Sequence, residues 1–149
     1  MARSTQVDPR GLRVAAAITS VVLALVLITP PPVSIALLVA QAAVFAIGAF
    51  VSLKASPYSI AFARFVRPRI GPPAELEDAR PPRFAQTVGL VFAVLALIGF
   101  ALGAPAVGFV AVALALVAAL LNATVGLCLG CEMYLAWNRL RPAKLTTQV

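Results

Sequence analysis

No Asp, Glu, Lys or Arg stands from Val14 through Leu53 or from Phe84 through Cys131, windows of 40 and 48 residues. A helix rising 1.5 Å per residue needs about 20 apolar residues to cross the hydrocarbon of a bilayer, so each window holds two spans. Each is interrupted near its middle. Thr29-Pro30-Pro31-Pro32 removes backbone donors and forces the residues before each proline out of helical geometry. Gly103-Ala104-Pro105 sets a glycine past one helix end and a proline in the first turn of the next. The pattern predicts spans at about 14–29, 33–53, 84–102 and 106–128. The fourth is expected to continue as one helix through Trp137, because nothing in CEMYLAWNRL interrupts it.

The expected fold is all-α: an integral membrane four-helix bundle made of two helical hairpins joined by a basic, proline-rich cytoplasmic loop. It divides into an N-terminal tail (1–13), a first hairpin (14–53), the loop (54–83), a second hairpin that includes the cysteines (84–137) and a basic tail (138–149). Composition agrees, with 62% hydrophobic and 11% charged residues and a mean hydropathy of +1.00, beyond what a soluble surface of this size tolerates. A cleaved signal peptide would also suit Arg3, Arg10 and Arg13 before an apolar run. PPPVS and a second apolar run follow in place of a small-residue cleavage site, so the first span is expected to stay.

Charge orients the bundle. Arg3, Arg10 and Arg13 precede the first span; Lys54, Arg64, Arg67, Arg69, Arg80 and Arg83 lie in the loop; Arg139, Arg141 and Lys144 follow the fourth span. The two proline hairpins carry no charge, so the positive-inside rule puts both termini and the loop in the cytoplasm, in an inner membrane. Within the loop, Tyr58, Phe62, Phe65 and Val66 can share a helical face edged by Arg64, Arg67 and Arg69, the pattern of a short helix at headgroup level with arginines on anionic lipid. Pro72, Pro73, Pro81 and Pro82 bracket Glu75, Glu77 and Asp78. This acidic cluster either recruits a cytosolic partner or pairs with neighbouring arginines, and the second is the more ordinary role.

Several function classes fall away. The chain has no histidine, the commonest general base and metal ligand, and no carboxylate or amine inside the expected spans, where proton relays and ion sites need them. Thr19, Ser20, Gln86, Thr87, Asn122 and Thr124 fall in the cytoplasmic half and leave Ser34 and Gln41 alone on the outer side, an arrangement unlike a solute path. Phosphate loops and nucleophile–base motifs are missing. The pI near 10.8 reflects arginines at membrane boundaries, so no nucleic-acid partner is expected.

Polar chemistry is left with Gly126-Leu-Cys-Leu-Gly-Cys131. On a continuous helix Asn122, Gly126 and Gly130 form one stripe, and Gly126-x-x-x-Gly130 matches the close-packing motif of membrane helices, suited to assembly with a second copy. Cys128 and Cys131 lie about 60° apart on the opposite side. Three readings of the pair stay open. It can be a redox or sulfur-transfer dithiol, since i and i+3 place the Cα atoms about 5 Å apart, within disulfide range. It can bind zinc or copper(I), although four ligands without histidine would require two chains. It can be packing alone. Placed near a helix C-terminus and beside Glu132, neither thiol is favoured as thiolate, and Cys131, nearer the aqueous boundary, is the expected attacking group.

VDPRG before the first span, RPRIGPPAELEDARPPRFAQ at the third and NATVGLCLGCEMYL in the fourth resemble an actinobacterial membrane family, domain of unknown function 4395. The resemblance implies a small four-span membrane protein with no assigned role and carries Cys128, Gly130 and Cys131 as its signature. It also implies thioredoxin-like or sulfurtransferase partners. The leading expectation is therefore a membrane-anchored dithiol. The runner-up is an assembly or scaffold subunit acting through residues 54–83.

Overall fold

Asp8 sets where the first helix begins. Its carboxylate accepts from the Arg10 N–H at 2.9 Å, and Pro9 occupies the first turn, where a missing N–H costs nothing. In the computed structural model, which describes residues 6–141, α1 therefore runs Pro9–Ile28, starting before the apolar run does. A related device stands at the third span, where the cap position is Ala79 and the carboxylate comes from the residue before it. Asp78 accepts from the Arg80 N–H at 2.9 Å, prolines fill the first turn, and α5 covers Arg80–Ala101. Arg80 to Arg83, expected in the loop, thus belong to a helix. The remaining spans are α2, Val33–Ala46, which widens into a π-type turn at Ile47–Val51, and α6, Pro105–Val125. All four are long and apolar enough to cross a membrane; α6 alone measures about 31 Å at helical rise.

The spans form a four-helix bundle in which α1 packs on α2 and α6, and α5 packs on the same two helices. Leu23 and Val26, Leu38 and Phe45, Ala93 and Ala96, and Ala111 and Val112 supply one buried pair from each helix. Val21, Val39, Val91 and Val110 point outward and are more than half exposed, as expected of helices that are apolar all round and face lipid. Glycine sets the closest approach. A Cβ on Gly99 would lie 2.9 Å from the Gly108 backbone nitrogen, and one on Gly108 would lie 2.6 Å from the Phe100 ring, so the α5 and α6 backbones nearly touch.

Among the described residues, the charged side chains lie outside the apolar runs, and the central segment gathers at one end of the bundle. There β1 (Gln6–Val7) pairs antiparallel with β2 (Glu77–Asp78), Gln6 opposite Asp78 and Val7 opposite Glu77. Between α2 and β2 the chain makes a short 3₁₀ turn at Leu53–Ala55, α3 at Pro57–Ala61, a second π-type turn at Phe62–Val66 and α4 at Arg67–Ile70. The expected shared face of this segment does not form, because the π-type turn rotates successive side chains out of α-helical register. Phe62 is buried against Gly11, whose Cβ position lies 3.0 Å from the ring, whereas Phe65 is 61% exposed.

Tyr58 turns inward instead. Its hydroxyl donates to Gln41 Oε1 at 2.6 Å, and Gln41 Nε2 donates to Thr19 Oγ1 at 3.4 Å. Gln41, expected with Ser34 on the outer side, is 1% exposed and joins α1, α2 and α3. Burial raises the Tyr58 pKa, which keeps the phenol a donor. An unpaired amide at this depth would be costly, and among the described residues no buried side-chain nitrogen or oxygen lacks a partner. Tyr58→Phe should therefore destabilise the detergent-solubilised protein by about 1–3 kcal/mol. The double change Tyr58→Phe with Gln41→Leu should recover part of that loss, because no orphaned amide remains. Thermal melting of both variants checks this; equal or greater loss in the double variant would show that the network is not what holds α3.

Candidate functional site

The cysteine segment begins where α6 stops. Gly126 adopts φ 73°, a left-handed conformation open to glycine and strained for other residues, and its N–H donates to Asn122 O at 3.1 Å. Gly126, Leu127 and Cys128 leave the helix, and a new one, α7, runs Leu129–Leu140. The continuous helix through Trp137 is thereby overturned, and with it the single stripe of Asn122, Gly126 and Gly130. Asn122 supplies a carbonyl to the turn, Gly126 is exposed, and Gly130 lies against α5, where an added Cβ would come within 2.6 Å of both Cα and Cβ of Ala85. The sequence signal was present in Gly126, a common residue after a helix end. Cysteine is not among the usual N-caps, which is why the second start is hard to foresee.

Cys128 is that N-cap. Its backbone is extended, and its Sγ accepts from the Cys131 N–H at 3.2 Å. A disulfide joins Cys128 and Cys131, with Cα atoms 5.1 Å apart. This position reverses the electrostatic expectation. The sulfurs sit at the positive end of a helix dipole, which favours a thiolate when the bond is reduced. The negative end of α6 lies close in sequence but is met by Arg13, whose Nη2 donates to Thr124 O at 2.9 Å and to Ala123 O at 3.3 Å. Arg13 Nε also lies 3.9 Å from the Cβ position of Gly126. Sequence reasoning counted Arg13 only as a boundary charge, since nothing local ties residue 13 to residue 124. Glu132 sits in the first turn of α7, where it suits the dipole and opposes a neighbouring thiolate.

Helix α7 leans on the start of α5 through Gly130 and through Tyr134, whose ring centroid is 5.7 Å from that of Phe84. Its other side exposes Met133, Trp137 and Leu140, with Arg141 stacked 5.2 Å over the Trp137 ring. The acidic cluster is divided. Asp78 pairs with Arg80 at 2.6 Å, and hydrogen bonds from Arg80 hold its carboxyl below the usual range, while Glu75 and Glu77 are exposed. Among the described residues no group of three or more His, Cys, Asp or Glu gathers. A four-ligand zinc site at Cys128 and Cys131 would need ligands from a second chain.

Fold and site together define a multi-pass membrane protein with a cysteine pair capping an appended helix. A family model for a domain of unknown function, DUF4395, matches residues 7–139, and the chain belongs to that family. No curated protein and no solved structure gives a match.

The contact of Gly130 with the Ala85 backbone makes a sharp test. Gly130→Ala should push α7 off α5 and lower stability by about 1–3 kcal/mol, with Ala85→Gly restoring part of it. Thermal melting of the two single variants and the double variant decides this; an unaffected Gly130→Ala protein would mean that α7 does not rest on α5.

Proposed function

We propose that this protein is a membrane-anchored dithiol that exchanges electrons with a cytoplasmic thioredoxin-like partner, cycling between a Cys128–Cys131 disulfide and two thiols. One observation carries the reading: Cys128 caps α7 and accepts the Cys131 N–H at 3.2 Å. A sulfur there is stabilised as an anion by the helix end, which suits it as nucleophile and as leaving group. The cap favours Cys128 over Cys131 as the exchanging sulfur.

In the reductive direction, a partner thiolate attacks Cys128 Sγ. The S–S bond breaks, and Cys131 leaves as a thiolate that takes up a proton. The partner's second thiol, losing its proton, then attacks the partner sulfur of the mixed disulfide and releases Cys128 as a thiolate. That thiolate takes up a second proton, the one lost by the first partner thiol on ionising. Two electrons and two protons pass from the partner dithiol to this protein, and the partner becomes a disulfide. The reverse sequence oxidises Cys128 and Cys131. With a sulfurtransferase partner, the reduced Cys128 thiolate would attack the outer sulfur of the partner's persulfide. That S–S bond breaks, the partner cysteine leaves as a thiolate, and Cys128 carries the persulfide.

The one-sided distribution of basic residues supports an inner-membrane location with both termini, the central segment and the cysteine pair in the cytoplasm. Reporter fusions after Thr29 and after Gly103 should then read as external, and fusions after Ile70 as cytoplasmic. A cytoplasmic signal from either proline turn removes the four-span orientation.

The thiol reading has its own test. In the Cys131→Ser protein, alkylation of Cys128 by iodoacetamide should rise with pH to half its maximum below the ordinary thiol value of about 8.5, whereas Cys131 in the Cys128→Ser protein should titrate higher. The Cys131→Ser protein should also accumulate a mixed disulfide in cells, retained on non-reducing gels and lost on reduction. If Cys128 titrates no lower than Cys131 and no mixed disulfide forms, the dithiol function is wrong.

A further inference from the structure

A groove of about 470 Å³ opens at the charged end of the bundle, between the start of α1 and the segment from Leu53 to Arg67. Its lining combines two chemistries: Leu12, Leu53 and Ile60 are apolar, and Lys54, Arg64 and Arg67 are cationic. Asp8 also borders it, but that carboxylate is bound to Arg10 at 2.9 Å. Lys54, Arg64 and Arg67 form no salt bridge among the described residues; Arg64 stacks on Phe65 at 5.9 Å, and Arg67 is near enough for its charge to act on Asp8. Three cations therefore face one carboxylate that is already matched, in a space much larger than a single anion needs.

The groove's place in the fold narrows the ligand. It lies beside the first turns of α1 and just past the end of α2, at the edge of the expected hydrocarbon layer. Leu12 belongs to the span itself, and Ile60 is 53% exposed on the opening. A molecule suited to that mixed lining carries an anionic group and an apolar portion, and at this height it is a lipid.

We propose that this groove is a binding site for the headgroup of an anionic phospholipid, with phosphodiester oxygens on Lys54, Arg64 and Arg67 and the glycerol–acyl portion on Leu12, Leu53 and Ile60. Arginine and lysine differ here in a useful way: the guanidinium forks of Arg64 and Arg67 suit two phosphate oxygens at once, while Lys54 offers a point charge. The site is independent of the cysteine pair and stands or falls without it.

The experiment is native mass spectrometry of the purified protein in neutral detergent, titrated with phosphatidylglycerol and, separately, with phosphatidylcholine. The wild type should hold one phosphatidylglycerol at least about tenfold more tightly than phosphatidylcholine. Neutralising the rim (Lys54→Gln, Arg64→Gln, Arg67→Gln) should abolish that preference. Ala63→Trp, at an exposed position bordering the groove, should weaken binding by filling the space with every charge in place. Arg139→Gln with Arg141→Gln removes two positive charges from α7 and its end and should leave binding unchanged.

Equal retention of the two lipids by the wild type overturns the proposal without recourse to a variant. So does unchanged phosphatidylglycerol binding in both the neutralised and the Ala63→Trp proteins, or an equal loss in the α7 control, which would mark a diffuse surface field. Competition by inorganic phosphate or glycerol 1-phosphate at the lipid's own concentration would identify a soluble phosphate as the ligand and overturn the lipid assignment.

Discussion

A helix that ends beside hydrocarbon leaves carbonyls and N–H groups with no water to meet them, and the charged end of this protein is built around that constraint. Arg13 donates to the last carbonyls of α6, Arg83 donates to Ala49 O near the end of α2 at 2.9 Å, and Arg10 reaches Gly71 O at 2.8 Å. Asp8, Asp78 and Cys128 accept at the opposite kind of terminus. Arginines that read as topology signals thus also serve as helix-end partners. Each does so by crossing to another element, which fixes how the spans, the central segment and α7 sit together.

Most of the bundle was legible because its signals are long and local. Two charge-free windows and two proline breaks define four spans through the hydropathy of some twenty residues each, and a one-residue ambiguity hardly matters. Helix starts were less legible, although Asp8-Pro9 and Asp78 with Pro81 carry the needed chemistry in a few residues; the apolar run drew attention away from them. The inward turn of Tyr58 was not legible. It depends on a hydrogen bond to Gln41, 17 residues away, and on a π-type turn that no periodicity announces.

The cysteine segment shows the same divide. The pair and its spacing are visible in the sequence. Its electrostatic setting is not, because one glycine in a left-handed conformation converts a helix C-terminus into the N-terminus of another and changes the sign of the field at the sulfurs. Two residues of the same setting, Ala85 and Arg13, come from α5 and α1 and bear no mark of it. Within the bundle, Thr19, Gln41 and Tyr58 are linked to one another and Ser20 donates to Ala16 O, while the cysteine pair stands apart, at a short helix outside the spans.

The contact between Arg13 and the carbonyls of Ala123 and Thr124 has a consequence for biogenesis. The arginine belongs to the first of the four spans to be synthesised and its acceptors to the last of them, 110 and 111 residues later. The clasp beside the cysteines can close only after the whole bundle has been inserted. Until then the guanidinium is free to rest among lipid phosphates. A chain arrested before the last span would hold the donor but not the helix end it serves, so the cysteine segment acquires its surroundings as the final act of assembly.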